Sequence, residues 1–145
     1  MAGILTHDPL SLEPLIRAVA TVEDGAIATF LGTARKYSEG KEVVELRYEA
    51  YWDMAEKVIA EILSEVPERF EGARAVAMHK VGLCPLGEAS VAVVAASPHR
   101  GEAFTACRYV IDTLKAKAPI WKQEVYADGT RWIGDAENRC SHSHD

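Results

Sequence analysis

The side chains best equipped for chemistry sit at the two ends of one stretch, Ser97 to Glu124. His99 and Arg100 lie near its start, and Lys115, Lys117 and Lys122 near its end. Ser97 reads as an N-cap and Pro98 as the first helical residue, with Pro119 stopping the helix. Lys115 and Lys117 then fall in the last turn, where the helix dipole favours cations. His99 and Arg100 fall in the first turn, where the dipole disfavours cations and free N–H groups attract anions. Cations in that place imply an anionic partner: a phosphate, a carboxylate or an acidic side chain.

Lys115, Lys117 and Lys122 crowd together across a helix–proline–strand turn, with Trp121 as an apolar wall. Crowded ammonium groups lower one another's basicity, which turns a lysine into a nucleophile or proton carrier. A solvated helix end is the competing reading. His99 and Lys115 are separated by a helix of about sixteen residues, or roughly 24 Å at about 1.5 Å per residue. One small-molecule site cannot use both ends of one copy. Either there are two sites, or two copies complete one site between them, as two-fold dimers allow.

Other chemistries are poorer fits. Cys107 lies on an apolar helix stripe and reads as a buried, inert thiol. Cys84 sits in a loop without an activating base, and Cys140 lies near the end of the chain. The segment Cys140-Ser-His142-Ser-His144-Asp145 has metal-binding residue types, but ligands from one terminal run do not make a structural zinc site, so no metal is expected. There is no G-x-S-x-G, and no phosphate-binding glycine loop. No resident cofactor follows from the motifs.

The elements that must position these residues are legible from periodicity. A helix is expected over Leu10–Ala20, a strand over Ala26–Leu31 ended by Gly32, and a hairpin or mobile loop at Ser38–Lys41. Val43–Ala50 alternates, with Val44, Leu46 and Tyr48 on one face. A helix runs from Trp52 to Pro67, which closes it. Strands follow at Ala73–His79 and Ser90–Ala96, the latter so apolar that it belongs at a sheet centre. Gly82–Gly87 is a loop or small β excursion. After the long helix come strands at Ile120–Tyr126 and Arg131–Ile133. The order predicts an α+β fold with helices packed on a mostly antiparallel sheet, as one domain over residues 1–137 with a flexible tail over 138–145.

Composition agrees. The 145 residues are 48% hydrophobic and 26% charged, with a net charge of −6. An acidic chain is a poor general nucleic-acid binder, so any anion site must be a local cationic pocket. No apolar run is long enough to span a bilayer, and no signal peptide is evident at the N-terminus. Three cysteines without CxxC spacing fit a reducing cytoplasm.

Four stretches carry a resemblance to a known family: Gly25-Ala-Ile-Ala-Thr-Phe-Leu-Gly-Thr-Ala-Arg35, Leu46-Arg-Tyr-Glu-Ala-Tyr-Trp-Asp-Met-Ala-Glu56, Ser97-Pro-His-Arg100, and Leu114-Lys-Ala-Lys-Ala-Pro-Ile-Trp-Lys-Gln-Glu124. From about Gly25 to Trp132 the chain resembles the large, catalytic subunit of molybdopterin synthase. The resemblance implies an α/β-hammerhead fold, with Gly82–Gly87 in the hammerhead insertion. It implies conversion of cyclic pyranopterin monophosphate into molybdopterin. The two dithiolene sulfurs would come from a thiocarboxylate on the C-terminal Gly-Gly of a small ubiquitin-like partner. The assembly implied is a homodimer of large subunits within a heterotetramer.

Carried over by residue, the resemblance places substrate contacts at Thr33, Ala34, Arg35, His99 and Arg100. The functional lysines fall on Lys115 and Lys122, with Gln123 and Glu124 adjoining. Lys115 is then the principal catalytic residue and Lys122 its electrostatic support. Lys117 stands where the family often has arginine, and Gln123 where a second base can occur. A non-catalytic α+β dimer that binds a phosphorylated metabolite or an acidic C-terminal tail is the alternative from another functional class.

Overall fold

The structure is a computed structural model that describes residues 4–135. The expected tail over 138–145, with Cys140, His142 and His144, lies outside the described residues. Twelve elements follow one another: β1 (Leu5–Thr6), α1 (Leu12–Val19), β2 (Ala26–Thr33), β3 (Tyr37–Ser38), β4 (Lys41–Ala50), α2 (Trp52–Arg69), β5 (Arg74–Lys80), β6 (Gly82–Leu83), β7 (Ala89–Ser97), α3 (Arg100–Lys117), β8 (Ile120–Tyr126) and β9 (Arg131–Asp135).

They form two sheets. The first has the order β1-β5-β7-β2, antiparallel except for the β1–β5 pair. The second has the order β3-β4-β8-β9, with β6 paired to the free side of β4. β7 is central because its residues Val91–Ser97 are all buried; an uninterrupted apolar run suits a strand covered on both faces. One face, with Ala92, Val94 and Ala96, packs on Leu15 and Val19 of α1. The other, with Val91, Val93 and Ala95, joins the main core with Ile59, Ile62 and Val66 of α2 and Val110 and Leu114 of α3. The α+β class with helices on mostly antiparallel sheets is therefore the observed architecture.

Several boundaries differ from expectation for physical reasons. α3 starts at Arg100 with His99 as N-cap, not at Pro98 with Ser97 as cap. Ser97 instead ends β7, 1% exposed, and its backbone carbonyl accepts the Gly25 N–H at 3.1 Å. A Cβ on Gly25 would stand 2.5 Å from the Pro98 carbonyl oxygen, so only glycine permits this junction. Pro67 does not close α2, which runs on to Arg69. A proline in a final turn forfeits one bond, and Phe70 N still donates to the Val66 carbonyl at 2.9 Å.

Gly32 does not end β2. The strand passes through it to Thr33 with a register shift against β7. In β4 a shift between Val43 and Glu45 turns Val43 inward and leaves Val44 51% exposed, so Val44 does not share the face of Leu46 and Tyr48. Ser38–Lys41 is a hairpin, with Glu39 at φ 50 and Gly40 at φ 81 supplying the two positive φ angles of a tight β-turn.

Candidate functional site

The long helix separates the cations as the spacing required. α3 has 18 residues, a length of about 27 Å, with His99 and Arg100 exposed at one end and Lys115 and Lys117 in the last turn at the other. Within one copy the structure does not bring the His-Arg pair to the lysines.

Helical phase sorts the lysines. Leu114 is buried, so its neighbour Lys115 sits at the edge of the buried stripe and is half-buried, while Lys117 is exposed. Lys115 lines a narrow cleft with Tyr48 of β4, His79 of β5, Ser90 of β7 and Ile120 of β8. Lys122 pairs with Tyr48 in the β4–β8 register, and directly paired residues share a face. It is therefore on the inward face of β8, one side-chain repeat beyond Ile120. Glu124 is on that face too, 4% exposed, with its carboxylate 3.5 Å from the Lys122 ammonium. The Tyr126 hydroxyl donates to Glu124 Oε1 at 2.6 Å. Gln123 pairs with Arg47 and Ile133 and points to the opposite, outer face. The structure thus pairs Lys122 with Glu124 on the β8 face that carries Ile120, whose side chain lines the Lys115 cleft, and sets Gln123 on the opposite face.

The other expected contacts arrive through β2. Ser90 Oγ, in the cleft, donates to the Gly32 carbonyl at 3.2 Å. The end of β2 at Thr33, which Ala34 and Arg35 follow, therefore lies beside the cleft that Lys115 lines. Thr33 and Arg35 are exposed and Ala34 is buried, its carbonyl accepting the Gly87 N–H at 2.6 Å. Ala34 contributes backbone and spacing rather than a side chain.

Three polar lining residues were not read as site residues from sequence: Tyr48, His79 and Ser90. Two signals could have found two of them. Tyr48 sits in phase with the inward face of β4, and Ser90 is the one hydroxyl opening an otherwise apolar run. His79 is 6% exposed, and its Nδ1 lies 2.8 Å from the Lys80 carbonyl. Burial pushes its pKa from 6.5 down to about 4; the Lys80 carbonyl opposes this and the Lys115 charge adds to it. His79 is therefore neutral at physiological pH.

The thiols are not activated. Burial pushes Cys107 up to about 11. Burial also raises Cys84, with the Lys80 charge opposing and Glu88 adding. Among the described residues no group of three or more His, Cys, Asp or Glu side chains could hold a metal. None of their helices is long and apolar enough to cross a membrane.

Comparison with known proteins gives this geometry its context. A molybdopterin synthase catalytic subunit from Bacillus subtilis is 44% identical over 131 residues, covering 90% of this chain and 83% of its own length. The crystal structure of molybdopterin synthase from Staphylococcus aureus superposes with a TM-score of 0.86 at 32% identity, covering 91% of this chain and 96% of that one. A chain from a complex of subunits 1 and 2 of molybdopterin-converting factor from Helicobacter pylori shares the fold, with a TM-score of 0.73 at 20% identity over 91% of this chain and 89% of that one. The family model described as MoaE protein matches residues 5–117, from β1 to the last residue of α3, and the chain belongs to that family.

Proposed function

We infer that the chain is the catalytic subunit of a molybdopterin synthase, an enzyme of molybdenum cofactor biosynthesis. It transfers sulfur from the C-terminal Gly-Gly thiocarboxylate of a small ubiquitin-like carrier to cyclic pyranopterin monophosphate, forming the dithiolene. The observation that carries this reading is Lys115 on a cleft it shares with Tyr48, and Lys122 paired with that Tyr48 on the inward face of β8, in a chain 44% identical to a relative of that name.

The residue types suit the reaction. Sulfur leaves an acyl carbon through a tetrahedral oxyanion, and an ammonium at a narrow, half-enclosed cleft stabilises that charge better than one in water. Lys115 is the principal catalytic group and Lys122 supports it. Arg35 holds the substrate's phosphate from the same end of the fold. Because the sulfur arrives on the carrier, the inert thiols of Cys84 and Cys107 are no obstacle.

His99 and Arg100 act in the second copy of a homodimer, holding phosphate beside the partner copy's lysines, within a heterotetramer that carries two small subunits. Mixing Arg100→Ala and Lys115→Ala chains tests this arrangement. Hybrid dimers with one intact site regain activity that neither parent has, whereas self-contained sites regain none. The reaction itself is tested by combining the purified chain with thiocarboxylated carrier and cyclic pterin. Dithiolene forms with wild type, and Lys115→Ala lowers its rate by about 10²- to 10⁴-fold while carrier binding stays near normal. Full sulfur transfer by Lys115→Ala sinks the assignment and favours the non-catalytic alternative.

A further inference from the structure

Sulfur transfer leaves one bond that neither lysine's charge explains. When sulfur departs from the carrier's terminal acyl carbon, that carbon must gain a different nucleophile, either a lysine amine or a water oxygen. The cleft beside Lys115 has a cavity volume of about 20 Å³. A single water needs roughly 10–15 Å³ of such space and two or more polar partners. A bicyclic pterin does not fit there; a water does.

Three polar side chains from three strands meet in this cleft: Tyr48, His79 and Ser90. Ser90 is already turned to the Gly32 carbonyl. His79 is fixed by two contacts. Its Nδ1 lies 2.8 Å from the Lys80 carbonyl, which makes Nδ1 the protonated nitrogen and leaves a lone pair on Nε2. The Tyr48 ring meets it edge-on, with centroids 4.9 Å apart. A neutral, immobilised imidazole with a free acceptor nitrogen in a cavity the size of a water is what orienting a water requires.

We propose that this cleft seats the water that releases the carrier, with His79 as the positioning residue that holds it through Nε2 and relays its proton. The proposal rests on the sulfurtransferase reading above. The thiocarboxylate sulfur first bonds to an electrophilic carbon of the substrate, whose carbon–oxygen bond breaks with its electron pair going to the oxygen, which takes up a proton; carrier and substrate are then joined through a thioester. The water oxygen then bonds to the acyl carbon, and the carbon–sulfur bond breaks with its electron pair going to sulfur. One water proton passes by way of Nε2 to that sulfur. The carrier leaves as a carboxylic acid, which ionises, and the substrate keeps the thiol. No oxidant or reductant is consumed.

The groups around His79 set its readiness. Lys115 on α3 faces it across the cleft, Tyr48 on β4 touches it, Lys80 follows it in β5, and the Lys122–Glu124 pair lies beyond Tyr48 on β8. The Lys115 charge opposes protonation of the ring. An oxyanion forming beside Lys115 offsets that charge, so the ring accepts a proton most readily when the water attacks.

The test uses chain, thiocarboxylated carrier and cyclic pterin in water enriched in heavy oxygen, with single-turnover mass spectrometry of the carrier. Wild type places one heavy oxygen in the carrier's C-terminal carboxylate for each sulfur delivered. His79→Phe slows carrier release by about 10²-fold, and the carrier–substrate thioester accumulates. A misfolded variant forms no thioester, so accumulation separates a lost water from a lost fold. His79→Gln keeps an acceptor oxygen and recovers part of the rate, but loses the acid limb that wild type shows near pH 4. It decides the matter alone if His79→Phe does not fold. Wild-type release rates and an unchanged acid limb in His79→Gln overturn the proposal, as does a carrier–Lys115 amide in place of heavy-oxygen uptake. Absence of any sulfur transfer by wild type overturns the functional reading with it, whereas normal transfer with unaffected variants overturns only the role of His79.

Discussion

Glu124 holds Lys122 on the inward face of β8, with 3.5 Å between carboxylate and ammonium and side chains only 5% and 12% exposed. The Tyr126 hydroxyl bonds the same carboxylate, so Lys122 meets a fixed charge rather than a mobile one. Glu124→Gln keeps the shape and removes that charge. A charge-assisted bond of about 1.5–3 kcal/mol corresponds to a loss of about 10- to 100-fold in kcat. Tyr126→Phe, which leaves the ion pair in place, loses less. Steady-state rates for the two variants, compared with their Tm values, distinguish lost positioning from lost stability.

His79 makes stability sensitive to acid. Its ring is held neutral in the folded chain, with a pKa lowered from 6.5 to about 4. Between those values the unfolded chain binds the proton and the folded chain does not, so acid favours unfolding. The contribution is fully present above about pH 6.5, is lost as pH falls toward 4, and totals on the order of 3 kcal/mol. Urea melts at pH 7 and pH 4.5 show a smaller difference for His79→Gln than for wild type.

The α1–β2 turn is tied to the sheet by Asp24. Its carboxylate lies 2.5 Å from the Arg74 guanidinium, is 2% exposed, and also accepts the Thr21 N–H at 2.7 Å. The Arg74 hydrogen bond holds the carboxyl below the usual range, desolvation opposes it, and the Thr21 bonds reinforce it. This stability is present above the ordinary carboxylate pKa and lost as pH falls through the lowered one. Because Arg74 is 38% exposed, Asp24→Ala costs less than a fully buried pair, about 2 kcal/mol or about 6 °C in Tm. A thermal melt reads this directly.

Cys107 behaves as a small apolar side chain. Its thiol, pushed up to about 11 by burial, reacts with a thiol reagent only after unfolding. Cys107→Ala leaves sulfur transfer unchanged and lowers stability by about 1 kcal/mol. A loss of activity in that variant with its Tm preserved argues for thiol chemistry instead.

The elements were legible where one force dominated. The apolar run at Ser90–Ala96 announced a central strand, and the stripe through Val110 and Leu114 announced α3. Boundaries were lost where tertiary contacts overrode local preference. Ser97 is a good helix cap by type, but the sheet claims it through its bond to Gly25. Val44 has the right parity for the core, but a bulge turns it out. Among the candidate residues, charge and spacing single out Lys115 and Lys122, because cations at a helix end and a proline turn stand out. Tyr48, His79 and Ser90 did not stand out, because each comes from a different strand and only the register of two sheets unites them. Gln123 shows the same limit in reverse, being adjacent in sequence to Lys122 yet on the other side of the sheet.

α3 is a ruler that also keeps phase. Between Arg100 and Lys115 every residue advances the chain by about 1.5 Å and turns it by about 100°. Leu114 must enter the core for Lys115 to reach the cleft. One inserted residue would swing the lysine about a quarter-turn off its mark and bring a neighbour into its place. Drift in chain length therefore has to fall elsewhere, as at the Glu39-Gly40 hairpin and the Asp128-Gly129 turn, where the chain is exposed and counts nothing.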